Sequence, residues 1–314
     1  MKVLITGATG LIGKELGDAL VQKGHHLIVV SRHSGHSQLG LSYPCDLIEG
    51  DLSQAAIADE RFKTVDAVVH LMGENVGDGR WTFERRKKIL ESRTLGTKNL
   101  YTSLAGNKKL QVIVAASAVG YYGDRGDEEL NEASSQGFRE NEDSGTIFLS
   151  HVCREWEEAV LIGQKEKFPE SRSVILRTGV VLSAKGGALP KMIKPFQLGM
   201  GTALGSGKQW MSWIHIQDLV NMYVDGIEKN DLAGIYNAVA PHPATNEEFT
   251  SRLAQILKKW QGPNIPEFVL RLAMGEMATL VLASQRVYPQ RFLSQGFEFS
   301  FSELTLALED LIRS

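Results

Sequence analysis

Cysteine is scarce in this sequence of 314 residues, which contains only Cys45 and Cys153, far apart in the chain. Two distant cysteines make neither a disulfide framework nor a metal-ligand cluster, and they suit a reducing compartment. No apolar run approaches the ~20 residues that are needed to cross a bilayer. The first predicted strand begins at Lys2, which leaves no space for a signal peptide before it, so we expect a cytoplasmic protein.

An excess of charge of either sign is also lacking, because the formal net charge is −3. This balance indicates no general attraction to nucleic acid or to an anionic membrane, and no nucleic-acid-binding motif is recognised. The composition, 43% hydrophobic and 23% charged, is ordinary for a globular chain with one large or two modest cores. We therefore expect a small-molecule substrate, no nucleic-acid or membrane partner, no bound metal, and either a monomer or a homodimer.

The most informative stretch is the first thirty-two residues. An apolar run, Lys2–Thr6, is typical of a buried parallel strand, and Gly7, Gly10 and Gly13 follow it at the spacing G-x-x-G-x-x-G before a helical segment and a second strand. In such a unit the first glycine permits a tight turn, the second leaves room for a pyrophosphate, and the third lets the helix pack closely. This pattern predicts a dinucleotide site, with cofactor contacts from Gly7, Thr9, Gly10, Leu11 and Ile12.

The end of the second strand indicates which dinucleotide binds. NAD sites usually place a carboxylate there to bind the ribose 2′-hydroxyl, whereas this chain has Ser31 and Arg32. A guanidinium suits a 2′-phosphate, so we predict NADP(H); the alternative is that Arg32 is only a surface residue. Asp51 and Leu52 follow a third strand and are predicted to reach the nucleotide base, although Asp51 is equally suited to cap a helix over 53–59.

The order of predicted elements indicates the fold. Strands alternate with helices through residue 182, which predicts an α/β protein with a Rossmann-type, doubly wound parallel sheet. Beyond that point the pattern becomes irregular, with an apolar helix predicted over 267–283. We predict a cofactor domain over 1–182 with a returning segment at about 213–239, and a smaller, interleaved α/β lobe formed by 183–212 and 240–314.

Motifs spread along the whole chain carry a family resemblance. They are Thr6–Gly13, Gly73–Asn75, Arg80–Trp81, Ser117–Asp124, Cys153–Glu157, Arg177–Leu182, Gly205–His215 and Gln285–Pro289. Together they resemble the extended short-chain dehydrogenase/reductase superfamily, and within it the atypical, sugar-nucleotide-epimerase-like subfamily of SDR39U1-like and YfcH-like proteins. The resemblance implies a Rossmann cofactor domain with a substrate-binding C-terminal lobe, and it adds cofactor contacts from Leu71, Met72, Gly73, Arg93 and Val180.

The catalytic pair of that superfamily is absent. Its members use a Tyr and a Lys four residues apart on one helix, with a Ser or Thr after the fifth strand. No Tyr-x-x-x-Lys follows residue 123; on a predicted helix over 148–163, Leu149 and Cys153 occupy the two places. Counting back from Tyr122 and Gly123 puts Ala118 at the usual Ser or Thr position, with Ser117 one residue earlier. We take Ser117 as the first candidate to touch substrate or nicotinamide, and Tyr121 as a candidate phenol that is otherwise a packing residue.

Other candidates have equally plain structural alternatives. His151 is a possible acid or base but suits a helix surface, and Cys153 is more often inert than nucleophilic when buried. The glycine-rich run Gly205–His215 mixes aromatic and cationic side chains that suit a phosphorylated ligand, although its tryptophans also suit a core. The predicted substrate contacts are Glu74, Asn75, Tyr122, Lys185, Lys208, Trp210, His215 and Arg286.

Two functions follow from these features. The first is an NADP(H)-dependent, epimerase/dehydratase-like oxidoreductase acting on a small polar substrate such as a sugar nucleotide or another phosphorylated compound. The second is a non-catalytic NADP(H)-binding sensor or regulatory protein that has lost the Tyr-x-x-x-Lys chemistry. The missing pair favours the second, and the polar, glycine-rich second lobe favours the first.

Overall fold

Seven parallel strands form the central sheet of the computed structural model, which describes residues 1–32, 39–137 and 144–313. The strands are β1 (Lys2–Thr6), β2 (His26–Ser31), β3 (Asp46–Glu49), β4 (Ala67–His70), β5 (Val112–Ala118), β6 (Glu129–Leu130), β7 (Arg172–Thr178), β8 (Val180–Leu182), β9 (Trp210–Met211), β10 (Trp213–His215), β11 (Gly234–Ala238), β12 (Ala244–Thr245) and β13 (Arg286–Val287). The helices are α1 (Leu11–Gln22), α2 (Phe83–Ser103), α3 (Ser144–Lys167), α4 (Ala188–Gln197), α5 (Ile216–Glu228), α6 (Asn246–Leu257), α7 (Glu267–Met274), α8 (Thr279–Leu282), α9 (Gln290–Ser294) and α10 (Leu304–Arg313), with 3-10 turns at Glu60–Thr64, Val119–Tyr122 and Gly275–Ala278.

The strand order explains where a ligand crevice forms. Across the sheet the order is β3-β2-β1-β4-β5-β7-β11, and every neighbouring pair is parallel. The chain runs outward from β1 in one direction and returns to β4 on the other side, which opens a crevice at the carboxyl ends of these two strands. The predicted fold class, a Rossmann-type doubly wound parallel sheet, is confirmed.

The central strands are apolar along their whole length because helices cover both faces of the sheet. Ile5 on one face packs in a core with Leu16 of α1 and Met222 of α5. Leu4 points to the opposite face and packs with Leu100 of α2. Successive residues of a strand alternate between two cores, so β1 reads as a continuous hydrophobic run rather than as an alternating one.

The C-terminal part of the chain shares the larger of these cores. Residues 234–238 form the outermost strand, β11, beside β7. Phe249 of α6 and Leu308 of α10 are buried in the same apolar cluster as α1. The buried carboxylate of Asp218 accepts the backbone N–H groups of Ser300 and Phe301 at 2.8 and 3.0 Å, which fastens the chain before α10 to α5. No helix in the described ranges is long and apolar enough to cross a membrane.

Three predicted helices differ from the structure. The helix expected over 267–283 is divided into α7, a 3-10 turn and α8, because Gly275 adopts a φ of +61° and ends α7. The helix expected over 53–59 does not form; the Asp51 carboxylate instead accepts the N–H and hydroxyl of Ser53 at 2.9 and 2.6 Å in a local turn. The helix expected over 148–163 begins at Ser144 and ends at Lys167.

We expect Gly13→Ala to lower the free energy of unfolding by about 1–3 kcal/mol, because the added methyl would overpack the contact between α1 and the glycine turn. A Cβ at Gly13 would lie 2.6 Å from the Ala8 Cα and from the Gly7 carbonyl oxygen, and neither backbone atom can move aside cheaply. Gly10→Ala is the matched control, since Gly10 has a φ of −73° and its nearest obstacle is 3.3 Å away. Urea denaturation of both variants tests this, and equal losses of stability would contradict the packing argument.

Candidate active site

The crevice is built from two turns that follow β1 and β4. Gly7 leaves β1 with a φ of +76°, and a Cβ at this position would lie 2.9 Å from the carbonyl carbon of Leu71. The turn after β1 and the chain after β4 are therefore in direct backbone contact. Both the positive φ and this contact require glycine at position 7.

The helix that follows the first turn presents free backbone donors to the crevice. Gly10 is the N-cap of α1 without a side-chain cap, and the first turn of α1 carries no acidic residue. Thr9 and Gly10 are exposed, whereas Leu11 and Ile12 are half-buried. The uncapped N–H groups and the positive end of the helix dipole make this a suitable place for a phosphate group.

The predicted nucleotide-binding residues lie beside this turn. Ser31 is half-buried and Arg32 exposed at the carboxyl end of β2, and the Gly50 N–H donates to the Ser31 carbonyl at 2.8 Å. Gly50 therefore lies beside Ser31 across the sheet, and Asp51 is the next residue in the chain. Leu52 is only 1% exposed, so its side chain belongs to the core and any cofactor contact there must come from its backbone.

A buried polar chain supports the floor of the crevice. His70, at the end of β4, has its Nδ1 2.8 Å from the Thr6 hydroxyl and its Nε2 3.0 Å from the Thr97 hydroxyl. Burial, with a smaller contribution from the charge of Arg93, lowers the pKa of His70 to about 4. The ring is neutral near pH 7 and links β1, β4 and α2.

The segment after β4 is held by arginines from α2. The Arg93 guanidinium donates to the Glu74 carbonyl at 3.1 Å and lies 4.9 Å from the centre of the Trp156 ring. A Cβ at Gly73 would lie 2.9 Å from the Arg93 Cζ, so this close approach needs glycine. The Glu74 carboxylate pairs with Arg85. These residues fix the loop, and burial lowers the pKa of Arg93 to about 10.

The Asn75 side chain has a local role, since its Oδ1 accepts the Gly77 N–H at 2.9 Å. Leu71 and Met72 are half-buried. The Met72 side chain packs against α2 at Gly96, where an added Cβ would lie only 2.2 Å from the Met72 methyl carbon. The side chains of Glu74 and Asn75 thus stabilise the loop. Their predicted contact with substrate stays a prediction.

A buried ion pair lies beneath Ser117 at the end of β5. The Arg177 guanidinium donates to Glu157 through Nε and Nη2, both at 2.8 Å, and the two side chains are 3% and 5% exposed. Ser117 Oγ donates to Glu157 Oε1 at 2.6 Å. Burial by itself lowers the pKa of Arg177. The hydrogen bonds to Glu157 and the charge of that carboxylate, with a smaller effect of Tyr122, outweigh burial and raise the pKa of Arg177 above its ordinary range.

Arg177 contacts both of the tyrosines that follow β5. The Tyr122 hydroxyl accepts from Arg177 Nη1 at 3.0 Å and donates to the Asn237 side-chain oxygen at 2.8 Å. Tyr122 is fully buried and burial raises its pKa, so it packs here as a core residue, and its predicted contact with substrate stays a prediction. Tyr121 is half-buried, with its ring centre 3.4 Å from the Arg177 Cζ.

Glu157 and Arg177 are the site residues that sequence reasoning missed. Each belongs to a motif, Cys153–Glu157 or Arg177–Leu182, and each carries a signal in the sequence. Arg177 interrupts the apolar strand β7, and Glu157 lies on the same side of α3 as the buried Cys153 and Val160. Charged residues inside apolar patterns are almost never buried unless they are paired.

The face of α3 that carries Leu149 and Cys153 does turn toward the end of β5. A Cβ at Gly120 would lie 3.7 Å from both the Cys153 Sγ and the Leu149 Cβ. Burial raises the pKa of Cys153 to about 12, which keeps the thiol protonated and unreactive at neutral pH. His151 is on the outer side of α3, 43% exposed and beside Glu155. Leu149 and the protonated Cys153 cannot supply the missing acid or base, and a role of His151 stays a prediction.

Among the predicted substrate contacts in the second lobe, His215 is buried and Lys185 is exposed. His215 is a helix cap, because its Nδ1 accepts the Gln217 N–H at 3.1 Å and its ring stacks on Phe301 at 3.8 Å. It is 3% exposed and caps α5, and its predicted contact with substrate stays a prediction. Lys185 is exposed and bonds Glu15 of α1 at 2.8 Å, which ties the loop after β8 to the cofactor-binding helix.

Trp210 and Arg286 lie together in that lobe. The Arg286 Cζ is 4.4 Å from the centre of the Trp210 ring. The Arg286 Nη1 forms an ion pair with Glu129 at 3.0 Å. Lys208 is exposed nearby in sequence, and Val180 is half-buried where β8 pairs with β10. The described residues contain no cluster of three or more side chains that could hold a metal ion.

This geometry defines a doubly wound nucleotide-binding fold with a glycine turn, an uncapped helix N-terminus and a polar β5 end. The chain belongs to the NAD dependent epimerase/dehydratase family, whose model matches residues 3–238. A model described as a domain of unknown function, DUF1731, matches residues 265–311. The predicted family resemblance is therefore confirmed.

Among its relatives, epimerase family protein YfhF of Bacillus subtilis is 34% identical over 99% of this chain and 98% of its own length. Epimerase family protein SDR39U1 of Mus musculus is 33% identical over 99% of this chain and 100% of its own length. The crystal structure of human epimerase family protein SDR39U1 with NADPH superposes with a TM-score of 0.86 at 32% identity, covering 100% of both chains.

We expect stability to fall in mild acid because of His70. The folded-state pKa of His70, about 4, is lower than its ordinary value of 6.5, so between these values the unfolded chain binds a proton that the folded chain does not. This residue should therefore lower the free energy of unfolding by up to about 1.4 kcal/mol for each pH unit below 6.5, and its effect ends near pH 4. Urea denaturation of the wild type and His70→Gln from pH 7 to 4 measures it. His26→Gln is the control at an exposed histidine; identical pH slopes for wild type and His70→Gln would refute the assignment.

Proposed function

We propose that this chain binds NADP(H) in the crevice and acts as an epimerase/dehydratase-like oxidoreductase on a small polar substrate, such as a sugar nucleotide or another phosphorylated compound. The observation that carries the cofactor part is the position of Ser31 and Arg32 at the end of β2, beside the uncapped N-terminus of α1. A cytoplasmic location and a monomeric or homodimeric state remain predictions from the sequence.

The residues present suit this cofactor. Gly10 is exposed and carries no side chain that would cover the turn, and the first N–H groups of α1 suit a pyrophosphate. Within the described ranges the Arg32 guanidinium has no hydrogen bond or ion pair, so it is available to a 2′-phosphate. Human SDR39U1, 32% identical, was crystallised with NADPH, which supports the same cofactor here.

A bound nicotinamide would supply the hydride acceptor or donor, and the chain's own residues would orient the reacting groups. A dinucleotide that crosses the sheet from β2 to β5 brings its nicotinamide end to Ser117 and Val180. Tyr121 is a half-buried phenol beside Arg177, whose guanidinium lies over its ring. Tyr121 is therefore our candidate for proton transfer to or from the substrate.

The non-catalytic NADP(H)-binding sensor remains the second candidate, and specific observations favour it. Leu149 and Cys153 occupy the places of the missing catalytic pair, and the Cys153 thiol is held neutral. The Ser117 hydroxyl proton is bound to Glu157. Only turnover separates the two candidates.

We expect Arg32→Asp to weaken NADPH binding by at least about tenfold while changing NADH binding much less, because a carboxylate repels the 2′-phosphate that NADH lacks. Titration of the fluorescence of each reduced dinucleotide measures both affinities. Arg252→Asp, at another exposed arginine, is the control for the change in net charge. Equal weakening for NADPH and NADH would show that Arg32 does not read the 2′-phosphate.

If the chain is an oxidoreductase, Tyr121→Phe should lower the rate of NADPH oxidation by about 100-fold or more without weakening NADPH binding, since proton transfer contributes about that much to such steps. The measurement is NADPH oxidation with a panel of carbonyl substrates, including sugar nucleotides. Tyr288→Phe, at a tyrosine of the second lobe, serves as the control. Tight NADPH binding without turnover on any substrate, together with a partner protein recovered on pull-down, would instead support the sensor.

A further inference from the structure

Two neighbouring turns of the second lobe expose large apolar side chains. Leu198 and Met200 follow α4 and are both 63% exposed, and Trp260 follows α6 and is 72% exposed. The two turns are joined by their backbones, because the Gly262 N–H donates to the Gly201 carbonyl at 2.8 Å. Apolar side chains that are exposed together in this way commonly mark an interaction site.

The charge of the two segments that carry these turns is of one sign. Residues 184–209 contain four basic side chains, residues 249–266 contain three, and neither segment contains an Asp or a Glu. The whole chain has a formal net charge of −3, so its charge is unevenly distributed. This part of the second lobe is cationic within an acidic protein.

Three lysines lie directly beside the exposed apolar side chains. Lys194 is one helical turn before Leu198 on α4, and Lys258 and Lys259 immediately precede Trp260. All three are exposed, and none of them forms an ion pair with another residue of the described ranges. We refer to the three apolar and three basic residues together as the basic–apolar face, which consists of Lys194, Leu198, Met200, Lys258, Lys259 and Trp260.

Helix dipoles account for only part of this arrangement. Lys194 lies in the last turn of α4 and Lys258 at the end of α6, where a cation complements the negative end of a helix. This effect explains why lysines stand at these two positions. It does not explain why an indole and two aliphatic side chains are exposed to water beside them.

The adjoining helix α7 adds to the exposed apolar surface of this lobe. It begins two residues after Ile265, whose N–H donates to the Ala203 carbonyl at 3.0 Å. Phe268 and Leu272, one turn apart on α7, are 71% and 81% exposed. The single carboxylate of α7, Glu267, is paired within the helix at 2.7 Å, so it does not neutralise the lysines of the basic–apolar face.

The combination of charge and apolar area discriminates among possible occupants. In a symmetric pair of copies the same cationic face would meet itself, and like charges would repel. A nucleic acid would neutralise the lysines and stack on Trp260, but it would not bury the aliphatic side chains of Leu198 and Met200 in an apolar environment. An anionic bilayer offers phosphates to the lysines and an apolar boundary to all three apolar side chains.

We propose that the basic–apolar face docks on the surface of an anionic phospholipid bilayer, with Trp260 at the level of the headgroups and the lysines on lipid phosphates. Side chains that project from turns suit a fluid surface, which adapts to them without a preformed groove. The proposal is independent of NADP(H) binding. It departs from the expectation of no membrane partner because that expectation follows from the net charge of the whole chain, whereas a bilayer contacts one face.

Co-sedimentation of the intact chain with vesicles tests the proposal. The probes are vesicles of phosphatidylcholine alone and vesicles in which about one third of the lipid is phosphatidylglycerol. At low salt the wild type should bind the anionic vesicles at least about tenfold more tightly than the neutral ones, and added salt should reduce this preference. Trp260 is the one exposed tryptophan of the five, so its fluorescence should shift to the blue on binding.

Two variants separate the contributions of charge and apolar contact. The double variant Lys258→Glu with Lys259→Glu should weaken binding to the anionic vesicles at least about tenfold, because it reverses two charges that face the lipid phosphates. Trp260→Ser should weaken binding about fivefold and abolish the blue shift, because the indole no longer leaves water.

Matched controls come from exposed residues elsewhere on the chain. Lys108→Glu with Lys109→Glu reverses another adjacent pair of exposed lysines, and Phe83→Ser removes an aromatic ring that is 78% exposed. Both controls should bind the anionic vesicles like the wild type. An unchanged midpoint of thermal unfolding in every variant shows that a loss of vesicle binding is not a loss of folding.

Several results would overturn the proposal. They are no association of the wild type with vesicles, equal binding to both lipid compositions, and equal binding by the wild type and the Lys258→Glu, Lys259→Glu variant. Binding to poly-glutamate as tight as binding to vesicles, and insensitive to Trp260→Ser, would identify an acidic protein surface as the partner instead. Dimerisation that shields Trp260 from acrylamide quenching would identify a second copy of the chain.

Discussion

The buried ion pair between Glu157 and Arg177 is the interaction on which the end of β5 depends. Taking two charges out of water costs several kcal/mol for each ion, and their attraction offsets this only when the remaining donors and acceptors are also satisfied. Here Ser117, Tyr122 and Asn237 complete the set, so α3, β5, β7 and β11 meet at one polar point. Removal of either charge would leave the other buried and unpaired.

This ion pair lies beneath Ser117 and close to Cys153 on α3. The crevice has three features that suit a dinucleotide. They are the tight turn at Gly7, the uncapped N-terminus of α1 and the neutral His70 beneath them. The neighbouring face of α3 presents Leu149 and a neutral Cys153 instead of a tyrosine and a lysine.

Local patterns explain which predictions agree with the structure. The central sheet followed from continuous apolar runs, and the glycine turn from a spacing whose reasons are steric and short-range. The helix predicted over 267–283 was wrong because one glycine at a positive φ outweighs an apolar pattern. The polar aromatic side chains of Tyr122 and His215 suit a ligand by sequence, but in the structure both are buried against partners remote in sequence, Asn237 and Phe301.

The sequence by itself determined the fold class and the family, and it predicted where a cofactor would bind, because these depend on periodicity, spacing and the residues next to each turn. Only the tertiary structure decided which side chains meet at the end of β5. Glu157 and Arg177 are 20 residues apart, and Ser117 is 40 residues from Glu157. The contacts among these three residues depend on the packing of α3 across β5 and β7. No local sequence pattern specifies which buried charged residues form an ion pair.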